Sequence, residues 1–266
     1  RTKRGLSESA EVTPASATVR VETTLENHTA TVVAPDVETV LRDPKGKDIA
    51  KVKLVVSGAG AAALSCLGVL EKLGLPRENM WVTDIAGVVW KGRNELMDPW
   101  KERYARDTQA RTLGEVIGGA DVFLGLSAAG VLKPEMVARM AARPLIFALA
   151  NPNPEITPED VAGVRDDAIM ATGRSDYPNQ VNNVLCFPYI FRGALDVGAT
   201  TVNDEMKIAC VRALAALARK EPSDVVARAF GEQAGGFGPS QIIPKPFDPR
   251  LIVELAPAVA KAAMES

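Results

Sequence analysis

Histidine is nearly missing from the chain: His28 is the only one in 266 residues. With no companion ligand or acid nearby, it reads as a solvated residue rather than a catalyst. Cysteine is scarce and odd in number, and Cys66, Cys186 and Cys210 each sit inside an apolar segment. That excludes a disulfide frame and predicts buried thiols in a reducing compartment. No apolar run approaches the roughly 20 residues that span a bilayer, and the opening "RTKRGLSESAEVTP" lacks the apolar middle of a secretory signal. The expectation is a cytoplasmic protein with no membrane partner. Basic clusters are missing too: 31 Lys and Arg against 33 Asp and Glu leave a formal net charge of -2. Such scattered charge gives no footprint for nucleic acid.

The first 44 residues add a local scarcity. From Arg1 to about Pro44 there is little leucine, no isoleucine and no aromatic residue, so the stretch has little with which to build a core of its own. "ATVRVETTLE" and "HTATVVAPDVETV" have the β-branched content of strands, but Pro14, Pro35 and weak alternation weigh against that reading. Residues 1–44 are therefore expected to be an arm or linker, and residues 45–266 the folded domain.

After Gly46 the character changes. Apolar runs with strand character recur as "KVKLVVSG", "NMWVTD", "ADVFLGLS", "RPLIFALA" and "DAIMATG". Between them lie helical stretches, first "AAALSCLGVLEKLG" and then segments around Glu115 and Pro134–Ala142. Strands alternating with helices predict an α/β fold, a doubly wound, mostly parallel sheet. Beyond Gly173 only helices are expected. Asn203 caps one that ends near Glu221, with Met206, Cys210, Leu214 and Leu217 as its apolar stripe; a second runs from Asp248 or Pro249 to about Met264.

"SGAGAAA" places Gly58, Gly60 and Ala63 as G-x-G-x-x-A between a predicted strand and a predicted helix. The first glycine permits a tight turn, the second leaves room for a pyrophosphate, and the small third residue lets helix and strand pack closely. Amides at the helix start then face the phosphates. Asp84 ends the second strand where the ribose-binding acid of a Rossmann-type dinucleotide site is expected. It suits the free 2′-hydroxyl of NAD, whereas Lys91 and Arg93 of "KGR" suit a 2′-phosphate, so the choice between NAD and NADP stays open.

Three polar loops follow the later strands: "SAAG", "NPNPE" and "GRSDYPNQVNN". In an open α/β sheet, ligands collect beyond the carboxyl ends of the strands, so these loops are expected to converge there. Asn182 and Asn183, at the start of an apolar helix, carry amides that orient a substrate but take no proton from it. Arg192 and Asp196, four apart on that helix, read as an ion pair.

Together, "VVSGAGAAA", "KGR", "ADVFLGLSAAGVL", "IFALANPNPEI", "ATGRSDYPNQVNNVLCFPYIFRGALDVGAT" and "IPKPFDPRLI" resemble the cofactor-binding half of bacterial malic enzymes. The likeness is greatest to the long form that carries a phosphate acetyltransferase-like domain downstream. The resemblance implies oxidative decarboxylation of L-malate to pyruvate and carbon dioxide, with hydride passing to NAD or NADP and Mg²⁺ or Mn²⁺ assisting in the complete enzyme. It also implies that Gly58, Ala59, Gly60 and Ala61 hold the pyrophosphate, that Asn151 contacts the cofactor, and that Asn183, with Asn182 beside it, contacts malate. The family's lysine base, tyrosine and acidic metal ligands precede its cofactor domain and have no counterpart in residues 1–44, and its longer members continue beyond the position of Ser266. The expectation is a homo-oligomeric chain that supplies the cofactor-binding half and is inactive alone. The alternative is a non-catalytic dinucleotide-binding or oligomerisation module.

Overall fold

The computed structural model describes residues 5–13, 16–24, 48–222, 225–226, 228 and 236–266. The chain divides into two units, Arg1–Val40 and Leu41–Ser266. In the first, β1 (Gly5–Thr13) pairs antiparallel with β2 (Ser16–Thr24), from Gly5 opposite Thr24 to Thr13 opposite Ser16. The strand reading of "ATVRVETTLE", which the sequence disfavoured, is the one observed over Ser16–Thr24. "HTATVVAPDVETV" and His28 lie outside the described residues.

The second unit is built on a six-stranded sheet in the order β5-β4-β3-β6-β7-β8. Its strands are β3 (Leu54–Ser57), β4 (Met80–Asp84), β5 (Gly87–Val88), β6 (Val122–Gly125), β7 (Leu145–Ala148) and β8 (Ile169–Thr172). All neighbours run parallel except the short β5, which returns antiparallel along β4. Each predicted strand is present over four or five residues, shorter than the run read from the sequence. β5 was not foreseen, because two residues carry no periodicity.

Strand alternation divides the core into two layers. Val55, Phe123 and Ile146 occupy one register row and pack with Val116, Ile117, Val137 and Val161. Those partners come from or beside the short helices α3 (Leu113–Val116), α4 (Pro134–Val137) and α5 (Pro158–Ala162). Leu54, Val56, Met80, Val82 and Leu124 point the other way and pack with Ala63 and Leu67 of α1 (Ala61–Lys72). Helices on both faces of a parallel sheet make the fold the doubly wound α/β type that the pattern predicted. A further short helix, α2 (Pro99–Glu102), starts at Asp98, whose carboxylate accepts from the Trp100 and Lys101 amides.

A helical cluster follows the sheet: α6 (Phe187–Asp196), α7 (Asp204–Ala218) and α8 (Arg250–Glu265). Asn203 caps α7 as expected, its Oδ1 accepting from Met206 N at 2.9 Å. Met206, Cys210 and Leu217 are buried against Leu251, Leu255 and Val259 of α8. Arg192 and Asp196 form the predicted pair at 2.7 Å. The cysteine expectation needs correction. Cys210 is buried and Cys186 half-buried, but Cys66 is exposed. On α1 the inward positions are Ala63 and Leu67, four apart, and Cys66 lies off that stripe. An apolar segment is not the same thing as a buried face.

Candidate functional site

The sheet order reverses between β3 and β6, which opens a crevice beyond their carboxyl ends. β3 runs into the glycine turn there. Gly58 has φ +107°, and a Cβ at this position would lie 2.3 Å from the Leu126 carbonyl oxygen; its amide donates to Thr83 O at 2.8 Å. Only glycine fits both the dihedral and the approach. Gly60 is different. Its backbone is extended (φ -82°, ψ -177°), and a Cβ there would meet nothing within 4 Å. Gly60 therefore borders open space at the start of α1, and it offers the helix no side-chain cap. Ala63 is buried at 1% exposure, which gives the close helix–strand contact that the third small residue was expected to make.

A cavity of about 470 Å³ adjoins this turn, lined by Ala59, Gly60, Ala61 and Leu64 on one side and by Asp84, Ile85, Leu96, Asp98, Trp100 and Lys101 on the other. Ile85, Leu96 and Trp100 are exposed, so the rim offers apolar surface above a charged floor. Asp84, at the end of β4, is in that floor. Its Oδ1 accepts from Arg93 Nη1 and the Ala86 amide, both at 2.9 Å. Its Oδ2 accepts from Arg93 Nη2 at 2.6 Å and Lys101 Nζ at 3.0 Å. Four donors fill the acceptor positions of one carboxylate. Burial pushes the Asp84 carboxyl up, but the bonds from Arg93 and Lys101 outweigh it and hold it below the usual aspartate value. Arg93 is committed as deeply, since Nη1 also donates to the Gly87 and Val88 carbonyls and only 4% of its side chain is exposed. The two residues that the sequence offered as rival ribose and phosphate readers are thus bound to each other.

On the far side of β3 the strand-end loops converge. Ser57 Oγ lies 2.9 Å from Ser127 Oγ, and the Gly130 amide donates to Pro154 O at 3.2 Å. The Asn151 carboxamide lies against Gly173, 3.7 Å from where a Cβ would stand, so the loops after β7 and β8 meet. Beyond β8, Val181 N donates to Thr172 O at 2.8 Å and anchors the amide-rich segment at the strand end. Asn182 follows at once. Its Oδ1 accepts from Val184 N at 3.0 Å and caps the short turn Asn183–Leu185 that leads into α6, and Asn183 is exposed at the head of that turn.

Two residues of this region were not singled out from the sequence. Asn179 has φ +55° and is almost wholly buried; it donates to Met170 O and Pro239 O and accepts from Ile242 N. It stitches β8 to the loop before α8, and its left-handed backbone is one that asparagine tolerates. Glu155 is fully buried, with Oε1 accepting from Ser127 N and Oε2 from Ala150 N, each at 2.9 Å. In "NPNPE" it looks like an ordinary turn residue.

Among the described residues, no group of three or more His, Cys, Asp or Glu side chains is placed to hold a metal ion. No described helix is long and apolar enough to cross a membrane.

The family model for the NAD-binding domain of malic enzyme matches residues 27–227. Over 241 residues the chain is 64% identical to the NAD-dependent malic enzyme of Rhizobium meliloti (strain 1021), which covers 91% of this chain and 31% of that protein. It is 62% identical over 222 residues to the NADP-dependent malic enzyme of Haemophilus influenzae, covering 83% and 29%. The chain thus spans less than a third of the length of these curated relatives. Among solved structures, Entamoeba histolytica malic enzyme superposes with a TM-score of 0.72 at 33% identity, over 82% of this chain and 44% of that one.

Proposed function

Since the chain belongs to the malic enzyme family and carries its NAD-binding domain, we propose that it binds NAD or NADP across the crevice at β3 and β6 and supplies the cofactor-binding half of a site for oxidative decarboxylation of L-malate to pyruvate. The observation that carries this reading is the glycine turn. Gly58 is forced by its geometry, Gly60 borders open space, and the adjoining cavity ends on Asp84. Gly58, Ala59, Gly60 and Ala61 hold the pyrophosphate against the start of α1. The adenosine lies over Ile85 and Trp100, with its ribose toward Asp84 and Lys101. With the Asp84 charge already offset by Arg93 and Lys101, the floor does not repel a 2′-phosphate, and Lys101 is the cation on the cavity wall that can turn toward one. The similar relatives include one named for NAD and one for NADP, in keeping with a floor that tolerates both.

At the other end, Asn151 holds the nicotinamide and Asn182 and Asn183 face malate. When bound, the nicotinamide accepts hydride from the malate C2; the residues of this chain orient the two partners by hydrogen bonding. The metal ion that the family uses does not fit the described residues, so no step is assigned to it on this chain. The cytoplasm is the compartment that suits free thiols and a soluble dicarboxylate substrate. The exposed Phe187, Phe191 and Leu195, one turn apart along α6, give the chain an apolar stripe for assembly with a second copy.

The test is calorimetric titration of the isolated chain with NADH and NADPH, alone and with malate and Mn²⁺. The enzyme-half reading expects binding of at least one dinucleotide, tighter in the presence of malate, and no malate-dependent NAD(P)H production. Binding without any effect of malate points to the non-catalytic module. Turnover with Mn²⁺ at the rate of a full-length relative overturns the assignment of proton chemistry to another part of the enzyme.

A further inference from the structure

The most deeply buried carboxyl group in the cleft is not among the residues so far given a role in binding. We infer that Glu155 is a positioning residue for the nicotinamide side of the cleft, fixing the Ser127 and Asn151 loops relative to each other and to β3. The inference rests on the dinucleotide reading above.

β6 and β7 run in register as far as Gly125 opposite Ala148. Two residues further on, Ser127 and Ala150 would be the next outward pair, but here the strands diverge into loops and their amides need other acceptors. Glu155 reaches back from the following loop and supplies both, Oε1 to Ser127 N and Oε2 to Ala150 N, each at 2.9 Å. Ser127 Oγ adds a longer contact to Oε1 at 3.3 Å, and the same hydroxyl lies 2.9 Å from Ser57 Oγ at the end of β3. The Glu155 carbonyl meanwhile accepts from Leu132 N, which closes the β6 loop from its far end.

Space as well as hydrogen bonding is set for this side chain. A Cβ on Gly125 would fall 2.4 Å from Glu155 Cδ and 2.7 Å from both oxygens, so the strand end is bare where the carboxylate lies. With 0% exposure and a donor at each oxygen, the group is enclosed and acts on a ligand only through the loops it holds. Its position explains its use: Asn151 is the residue after Ala150, and Ser127 heads the neighbouring loop. A carboxylate accepts at both ends. A carboxamide of the same shape must turn an NH₂ toward one of the two amides, so replacement by glutamine releases one loop while leaving volume unchanged.

The sheet order separates this effect from the rest of the cofactor site. Asp84 and the adenosine cavity lie on the β4 side of β3, and Glu155 acts on the β6–β7 side. The experiment is calorimetric titration of the full chain and of Glu155→Gln with NADH and NADPH, and with ADP-ribose and 2′-phospho-ADP-ribose, which lack the nicotinamide. Fluorescence of the bound reduced nicotinamide is read in parallel. The expected result is at least a ten-fold loss of dinucleotide affinity and a nicotinamide emission like that of free NADH, with ADP-ribose affinity within two-fold of wild type. Equal losses for both ligand classes, or no loss for either, overturn the inference. If wild type binds ADP-ribose and dinucleotide equally and its nicotinamide emission matches the free form, the inference also fails while the dinucleotide reading stands. Failure of wild type to bind any of the four overturns the dinucleotide reading and this inference with it. Should Glu155→Gln not fold, Ser127→Ala, which keeps the backbone amide but cuts the hydroxyl link, serves in its place with a three-fold selective loss as the criterion.

Discussion

Replacing Asp84 by asparagine separates the two roles a strand-end acid can have, direct contact with a ribose or anchorage of neighbouring cations. Asparagine keeps the shape and one oxygen, so the bonds from Arg93 Nη1 and the Ala86 amide can persist. The NH₂ group then faces Arg93 Nη2 and Lys101 Nζ, and two charge-assisted bonds are lost. Both cations are largely enclosed, with 4% and 15% of their side chains exposed. Leaving a buried charge without its partner costs about 3 to 5 kcal/mol, and the retained oxygen sets the lower end here, about 3 kcal/mol. With a urea m-value of about 2 to 3 kcal/mol/M, the unfolding midpoint falls by roughly 1 to 1.5 M. The pH dependence has a definite sign. The folded-state pKa of Asp84 lies below its unfolded value, so its contribution is fully present above the usual aspartate range and is lost as pH falls through the folded value. The gap between wild type and variant is therefore widest at neutral pH and closes in acid. Urea unfolding at pH 7 and at several acidic values checks this. A destabilisation under about 0.5 kcal/mol at pH 7, or a gap that widens in acid, refutes the anchoring role.

Two further outcomes follow from the same geometry. Gly58→Ala places a side chain at φ +107° and 2.3 Å from the Leu126 carbonyl; backbone strain of about 1 to 3 kcal/mol is expected, visible as a melting temperature several degrees lower, and an unchanged melting curve contradicts the turn geometry. Cys186 Sγ and Cys210 Sγ lie 3.5 Å apart, and the contact with Cys210 draws the Cys186 thiol below the usual cysteine value. Exposure to oxidised glutathione, which takes up the two electrons and two protons as two reduced thiols, should yield a Cys186–Cys210 disulfide by peptide mapping; a mixed disulfide confined to Cys66 counts against that pairing.

The sheet was legible because its strands are buried on both faces and stand out as apolar runs between helical periods. Val55, Phe123 and Ile146 needed no tertiary information to be placed. The first unit misled for the opposite reason: the β1–β2 hairpin has the β-branched residues of a strand, but with prolines nearby and weak alternation its pairing could not be read from pattern. At the site, the glycine turn was readable because backbone geometry restricts residue type at Gly58. The partnership of Asp84 with Arg93 was not. Both were named from the sequence, yet as rivals for one ligand, since nine residues of separation do not reveal that the chain folds one onto the other. Glu155 and Asn179 were missed because a buried polar role depends on which backbone groups the fold leaves unpaired, and a single sequence does not display that.

The central claim is that the space bordered by Gly60 receives the cofactor pyrophosphate, and Gly60→Val tests it most directly. The backbone at Gly60 is extended and a Cβ there touches nothing within 4 Å, so the protein should fold; valine caps a helix less well than glycine, which lowers the melting temperature by no more than a few degrees. Affinity for NADH and NADPH, measured by calorimetry, should fall at least ten-fold. A variant that folds and binds the dinucleotides as tightly as wild type would contradict the account.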